Sequence, residues 1–437
     1  MYKVCAATKS YLAGMMLLSV VISAQAANPD SAVGMNYEWP ACGRVDSWPG
    51  EAWQEASPTG GWDAGKLAEA RAYFERAGSA SMMVVWRGHP IAAWGEVDEP
   101  YLVQSVRKPI INAIAGQLVD AGALDLSATL ADLGIQDHDP PLSPLNLSAT
   151  VADIFRSRSG IYHSAHYEVG GWKRARAELA AIALQESGEP SFPPGRVWVY
   201  NNWDFNAAGE IVARAGGAPL ERLIEERLAR PLQMQDFDED NVSYEEDGDL
   251  TAWMIDNHSA IPAYLIEISA RDLARVGLLN LGCGEWNGRR ILSEAWVRES
   301  ITGIPVKEGA PKAFDWQNSW DSYGYLWFVE ASEDRGAWTL DHLPPYYGHG
   351  GNRGHLLLVM PYLDLVIAHE VATTGGSGLY GQVKRSIFGS PDVGDGTIEK
   401  LIAMTIAAHP DPVARAATEA ALEEFREYEM STAVSQP

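Results

Sequence analysis

The sequence predicts an α/β protein in which an antiparallel sheet, flanked by helices, is interrupted by an all-α insertion. Three observations predict this. Two short runs rich in β-branched and aromatic residues lie around a tight turn at residues 82–94. Similar runs return only after Tyr323. Between them, from about Leu124 to Leu250, the pattern turns mostly helical, with segments that end at glycine or proline.

Residues 1–26 have the layout of a secretory signal. Lys3 and Lys9 form a positive start, Leu12–Ile22 a short apolar stretch, and Ala24-Gln25-Ala26 a small-x-small cleavage site. Removing them would leave residues 27–437 as one domain with its helical insertion at about 124–255. It takes away two lysines and no acids, which moves the net charge from −25 to −27. So acidic a surface argues against nucleic acid or an anionic membrane as a partner. The expectation is an exported protein, periplasmic or secreted, with no stable membrane association after cleavage. Cys5 leaves with the signal, and Cys42 and Cys283 remain, an even number for an oxidising compartment. A bridge and two buried thiols are both open to them.

Asp63–Ala77 reads as an amphipathic helix, with Leu67, Ala70, Phe74 and Ala77 on one face and Gly78 as its stop. Met82–Trp86 and Ile91–Trp94 read as strands around Arg87-Gly88-His89-Pro90. Val106, Ile110, Ile114 and Leu118 recur every four residues and Gly122 closes that run, a helix whose N-terminus carries Ser105. Lys173–Ser187, Phe205–Arg214 and Leu220–Ala229 are helices of the insertion. Tyr325–Glu330, His355–Met360 and Leu363–His369 are strands, followed by a helix near Tyr380–Phe388 and an amphipathic C-terminal stretch.

Three motifs carry chemistry. In Ser105-Val106-Arg107-Lys108, a serine three residues ahead of a lysine on a helix places the two side by side. The amine can then take the hydroxyl proton if burial or a neighbouring cation lowers its pKa. Of the nine lysines only Lys108 has a serine three positions earlier; alone, the pair also reads as a helix-capping serine and a solvated lysine. Tyr200-Asn201-Asn202 opens the next helical segment, where a tyrosine can relay the proton and an amide such as Asn202 can bind both a substrate carbonyl and the lysine. Tyr162-His163-Ser164 matches the same pattern. Third, Gly348-His349-Gly350-Gly351-Asn352 precedes the strand His355–Met360; glycines on an edge strand admit a substrate backbone. His349 can orient Tyr200 or meet the leaving group.

Read together, Ser105, Tyr200 and His349 resemble the penicillin-recognising serine hydrolases: class C β-lactamases, DD-peptidases, related esterases and 6-aminohexanoate-dimer hydrolases. Further segments are similar to elements of that family. They are Arg158-Ser159-Gly160-Ile161, the Tyr200–Gly209 helix, Pro231-Leu232-Gln233-Met234, and Ser269–Arg275. The resemblance spans roughly residues 80–370 and implies a β-lactamase/transpeptidase-like fold, an acyl-serine intermediate and no cofactor or metal. It assigns Ser105, Lys108 and Tyr200 to catalysis and Asn202, His349, Gly351 and Asn352 to substrate or oxyanion binding, with the backbone N–H groups of Ser105 and Asn352 as the oxyanion donors.

The third motif departs from the family pattern: His349 replaces a lysine, and Gly350 replaces a hydroxyl residue that helps hold a substrate carboxylate. The expected substrate is therefore a small-molecule ester or amide, with a β-lactamase or DD-peptidase as the alternative. A non-catalytic binding or sensing module of the same fold is a second alternative. There is no Gly-x-Ser-x-Gly elbow, and His163 and His166 lack a metal-binding context and read as loop residues. Trp198 and Trp203 flank Tyr200, although most of the sixteen tryptophans belong in a core.

Overall fold

The computed structural model describes residues 38–167, 172–245, 259–306, 321–331, 343–372 and 395–434. The expected signal at 1–26 and the helix expected near Tyr380–Phe388 lie outside them. The strands are β1 (Ser81–Trp86), β2 (His89–Gly95), β3 (Tyr101–Leu102), β4 (Val242–Glu245), β5 (Ala263–Ile268), β6 (Glu285–Trp286), β7 (Arg289–Arg290), β8 (Ile304–Pro305), β9 (Ser322–Tyr323), β10 (Phe328–Glu330), β11 (Tyr346–Gly351), β12 (His355–Met360) and β13 (Leu365–Glu370). The longer helices are α1 (Ala64–Ala77), α2 (Arg107–Asp120), α3 (Trp172–Ser187), α4 (Asn202–Gly216), α5 (Ala270–Leu281), α6 (Asp395–Ile406) and α7 (Pro412–Val434).

Eight strands form one antiparallel sheet in the order β2-β1-β13-β12-β11-β10-β9-β8. Its central strands are apolar on both faces, and alternate residues enter two separate cores, as the period of two requires. Met83, Val85, Leu357, Val359, Val366 and Ala368 join one core with the buried face of α5 and with α2. Met82, Val84, Leu358, Met360, Leu365 and Ile367 join the other with α1, α6 and α7. The result is a sheet between two helical layers.

The first three expected elements stand where the pattern put them. Asp63 caps α1 by accepting from the Gly65 and Lys66 amides, and Gly78 ends it in the left-handed conformation. The strand expected at Tyr325–Glu330 shortens to β10, because Leu326 adopts φ +60° and Tyr325-Leu326 forms a turn instead. Likewise Pro361–Leu363 is a 3-10 turn and Asp364 has φ +52°, so β13 starts at Leu365. The stretch between α2 and β5 is mainly helical but also holds β4, which pairs with β5 beside β3 in a small second sheet.

Two family-like segments have structural duties. Ser269 caps α5 and also donates to Asp236, Asp272 accepts from the Gln235 and Asp236 amides, and Arg275 donates to the Leu232 carbonyl at 2.7 Å. Together they clamp α5 to the Pro231–Met234 turn. Cys42 and Cys283 are bonded, with Cα atoms 5.5 Å apart, and join the start of the described chain to the end of α5.

Candidate active site

Ser105 lies in a 3-10 turn, Gln104–Val106, that runs directly into α2; the α-helix itself begins at Arg107. Pro109 sits in its first turn, where the missing N–H costs nothing. Ser105 is half-buried and Lys108, on α2, is fully buried. The two are not hydrogen-bonded to each other, contrary to a simple side-by-side pair. The Tyr200 hydroxyl stands between them, donating to Ser105 Oγ at 2.7 Å and accepting from Lys108 Nζ at 2.7 Å.

Tyr200 is held by aromatic neighbours. Its ring stacks on Phe328 with centroids 5.9 Å apart and planes at 6°, and Phe205 lies 4.5 Å away. Lys108 Nζ sits 4.1 Å from the Phe205 ring centre and 4.8 Å from that of Tyr200. Burial, and then the neighbouring Arg107 guanidinium, push the Lys108 amine well below its usual range. Burial pushes the Tyr200 phenol up. Both shifts favour the uncharged forms, the free amine of Lys108 and the phenol of Tyr200.

Asn201, rather than Asn202, caps α4: its side chain accepts from the Trp203 amide at 3.0 Å and donates to the Ile161 carbonyl at 2.5 Å. Asn202 is the first helical residue, half-buried, and its amide donates to the Tyr167 carbonyl at 3.0 Å. The contact with Lys108 expected of Asn202 is not made. Its amide is committed to the Tyr167 carbonyl instead.

The Ser-Gly loop supports this segment. Ser159 donates to Asp204 at 2.5 Å, and Asn201 donates to the same oxygen at 3.2 Å. Burial raises the Asp204 carboxyl well above the ordinary range. Gly160 has φ +71°, and a Cβ there would lie 2.1 Å from the Phe192 carbonyl oxygen, so only glycine fits. Tyr162 belongs to this loop, while Tyr200 faces the serine. Trp198 and Trp203 are both buried, Trp203 donating to Asp137 at 2.6 Å. His163 and His166 bond backbone carbonyls of His138 and Ser259, each at 2.9 Å. These four are framework.

The third motif lies on β11. Phe328 pairs with Gly348 at the end of β10, so His349–Gly351 pair only with β12 and their other edge is open. A Cβ at Gly351 would lie 2.7 Å from the Val103 carbonyl oxygen and 3.2 Å from Gln104 Cβ. That close approach brings β11 against the turn carrying Ser105. Asn352 follows in an exposed 3-10 turn, and Gly350 has nothing within 4 Å of a built Cβ.

His349 is fully buried, its ring 6.4 Å from Tyr200 and 5.0 Å from Phe328. Nδ1 lies 2.7 Å from the Gly350 carbonyl oxygen, which can only accept, so the proton is on Nδ1 and the unpartnered Nε2 is a bare acceptor. Burial, with the Arg107 guanidinium acting in the same direction, pulls its pKa well below the usual imidazole range. Sequence reasoning did not find Phe205 and Phe328, whose signal was only their place near the motifs. It also missed the cap at Asn201, although asparagine before a helix is a readable sign.

Chemically, this hydrogen-bonded chain beside the open edge of β11 can act as nucleophile, relay and base. The β-lactamase family model matches residues 67–380, more than half the chain. The chain belongs to the β-lactamase family and has its antiparallel sheet-and-helix serine hydrolase fold. Among solved structures it is similar to a protein from Bacillus anthracis assigned as a 6-aminohexanoate-dimer hydrolase. Identity there is 18%, coverage 84% of this chain and 88% of that one, and the TM-score 0.51. It is also similar to a penicillin-binding protein homologue from Caulobacter crescentus, at 15% identity, coverage of 81% and 99%, and a TM-score of 0.52. At such identities these likenesses speak for the fold alone. No curated protein sequence matches this chain.

Proposed function

We propose that the protein is an exported serine hydrolase that cleaves a small-molecule ester or amide through an acyl-Ser105 intermediate. The observation that carries this reading is the Ser105–Tyr200–Lys108 chain, two contacts of 2.7 Å ending on an amine whose burial favours its free form. Hydroxyl hydrogens rotate, so Ser105 can donate to Tyr200 while Tyr200 donates to the Lys108 lone pair. As Ser105 Oγ attacks the carbonyl, its proton passes to Tyr200 and the phenol proton to Lys108. The backbone N–H groups of Ser105 and Asn352 take the oxyanion. Lys108 then returns the proton through Tyr200 to the leaving group. Water, activated by the same relay, releases the acid and frees Ser105. No metal or cofactor is invoked.

Export is supported by the pattern of residues 1–26 and by the Cys42–Cys283 bond, which persists in oxidising compartments. We assign residues 27–437 to one hydrolase domain with a helical insertion at about 124–255. A small neutral ester or amide is supported by the third motif, where the buried neutral His349 and the bare Gly350 offer a substrate carboxylate neither ammonium nor hydroxyl.

One observation favours a second reading. Arg353, next to Asn352, makes no ion pair among the described residues, and its charge acts on Tyr167 beside Gln104. An acid-bearing substrate would meet that guanidinium.

A side-by-side assay separates the two. For a short-chain p-nitrophenyl ester, kcat/KM should exceed that for nitrocefin by at least about tenfold, since a lost charge-assisted hydrogen bond is worth about 1.5–3 kcal/mol. Gly350→Thr, which the open space accepts, should narrow the gap. Nitrocefin as the better substrate, with its turnover lost in Arg353→Ala, would promote the β-lactamase reading.

A further inference from the structure

Arg107 has no part in the relay, yet it is 2% exposed and directly precedes the fully buried Lys108. The two side chains dock on neighbouring residues of α4. Lys108 lies over Phe205, and Arg107 Nη2 donates to Asn206 Oδ1 at 3.3 Å. The guanidinium is lodged between two tyrosine faces, 4.7 Å from Tyr264 on β5 and 5.5 Å from Tyr167. Among the described residues no carboxylate pairs with either Arg107 or Lys108, and Arg107 Nε is buried without a partner. A buried cation with no counter-ion costs several kcal/mol. Two such cations on consecutive residues would cost more, and of the two side-chain types only an amine readily sheds its proton in a protein interior. An arginine retained only to fill space would do better as an apolar residue of similar volume.

We propose that Arg107 is a positioning residue whose uncompensated buried charge holds Lys108 in its neutral, proton-accepting form. The inference rests on the proposed Ser105–Tyr200–Lys108 relay and adds the group that sets its working pH. The ionisable groups facing the pair from other elements do not replace that charge. His349 on β11 is kept neutral by burial, and the Arg107 guanidinium acts in the same direction. The Tyr200, Tyr167 and Tyr264 phenols are all pushed up by burial and stay protonated. Asp204 on α4 is occupied by Ser159 and Asn201, with its carboxyl raised. Glu245, at the end of β4, acts on Tyr167.

The sign follows directly. Catalysis needs the free amine, so activity rises with pH through the Lys108 titration. Removing the neighbouring positive charge raises that pKa and moves the acidic limb to higher pH. The test is the rate at which a neutral fluorophosphonate labels Ser105, measured against pH in the full mature protein. Two variants are compared with wild type. Arg107→Gln removes the charge. Asn206→Asp is nearly isosteric and sets an anion against the guanidinium, at the loss of the Asn206 bond to the His166 carbonyl.

In each variant that retains the wild-type circular dichroism spectrum, the midpoint of the acidic limb should rise by about one pH unit. Labelling below the midpoint should then fall about tenfold, and the alkaline plateau should stay within a few-fold of wild type. Arg107→Lys should restore part of the shift. An unchanged midpoint in either folded variant overturns the proposal, even if the plateau falls, because that is what a purely structural arginine would give. Failure of wild-type Ser105 to label at any pH would instead sink the hydrolase reading.

Discussion

Tyr200 lies 2.7 Å from both groups it connects, so the proposed proton sink follows from the opposite shifts of Tyr200 and Lys108 and not from distance. A phenol pushed up by burial cannot rest as phenolate near neutral pH, whereas burial and then Arg107 shift Lys108 towards the free amine. Lys108→Ala removes the sink and Tyr200→Phe the bridge. Each should slow acylation of Ser105 by about 10²–10⁴-fold, with circular dichroism unchanged. The pH dependence of kcat/KM should show an acidic limb well below the ordinary lysine range, because the folded amine loses its proton early. A limb in the usual lysine range, or a Tyr200→Phe variant with wild-type acylation, would contradict this division of roles.

The three side chains proposed for catalysis lie in the Gln104–Val106 turn, on α2 and just before α4, and β11 packs against that turn. Gly351→Ala would place a methyl 2.7 Å from the Val103 carbonyl oxygen, a backbone atom that cannot swing aside. The strand or the Ser105 turn must then shift. A displacement approaching 1 Å at an active site costs about 10²-fold, so kcat/KM should fall by that order while the melting temperature changes little. An active Gly351→Ala would show that β11 does not set the site. Much of this was legible in the sequence, because periodicity reports burial: α1, α2, β1 and β12 follow from their apolar spacing. Ser105, Lys108, Tyr200 and the glycines of β11 came from motifs. Leu326 and Asp364 were not readable, since left-handed backbone at a leucine or aspartate is fixed by surrounding structure. The split between Asn201 as cap and Asn202 as first helical residue also depends on a one-residue register that two adjacent asparagines leave open. Arg107 was visible only as a neighbouring cation; its lack of a carboxylate partner emerges from packing.

Across the molecule, the Cys42–Cys283 bond ties residues 241 positions apart, so it restrains more than half of the described chain when unfolded. Reduction should lower stability by about 2–5 kcal/mol, read as a fall in the urea midpoint, with the slope rising as the released unfolded chain expands. Free thiols at both positions in exported protein would remove the bond from the account without touching the chemistry. The strongly acidic balance, −25 over the full sequence, favours solubility and repels anions at low salt. The central claim is that all of this structure serves one nucleophile. Its most direct test is fluorophosphonate labelling of the mature protein, followed by peptide mass mapping and repeated with Ser105→Ala. The account predicts a single label on Ser105, and loss of both label and ester hydrolysis in the variant. A label on another serine, or wild-type hydrolysis by Ser105→Ala, would contradict it.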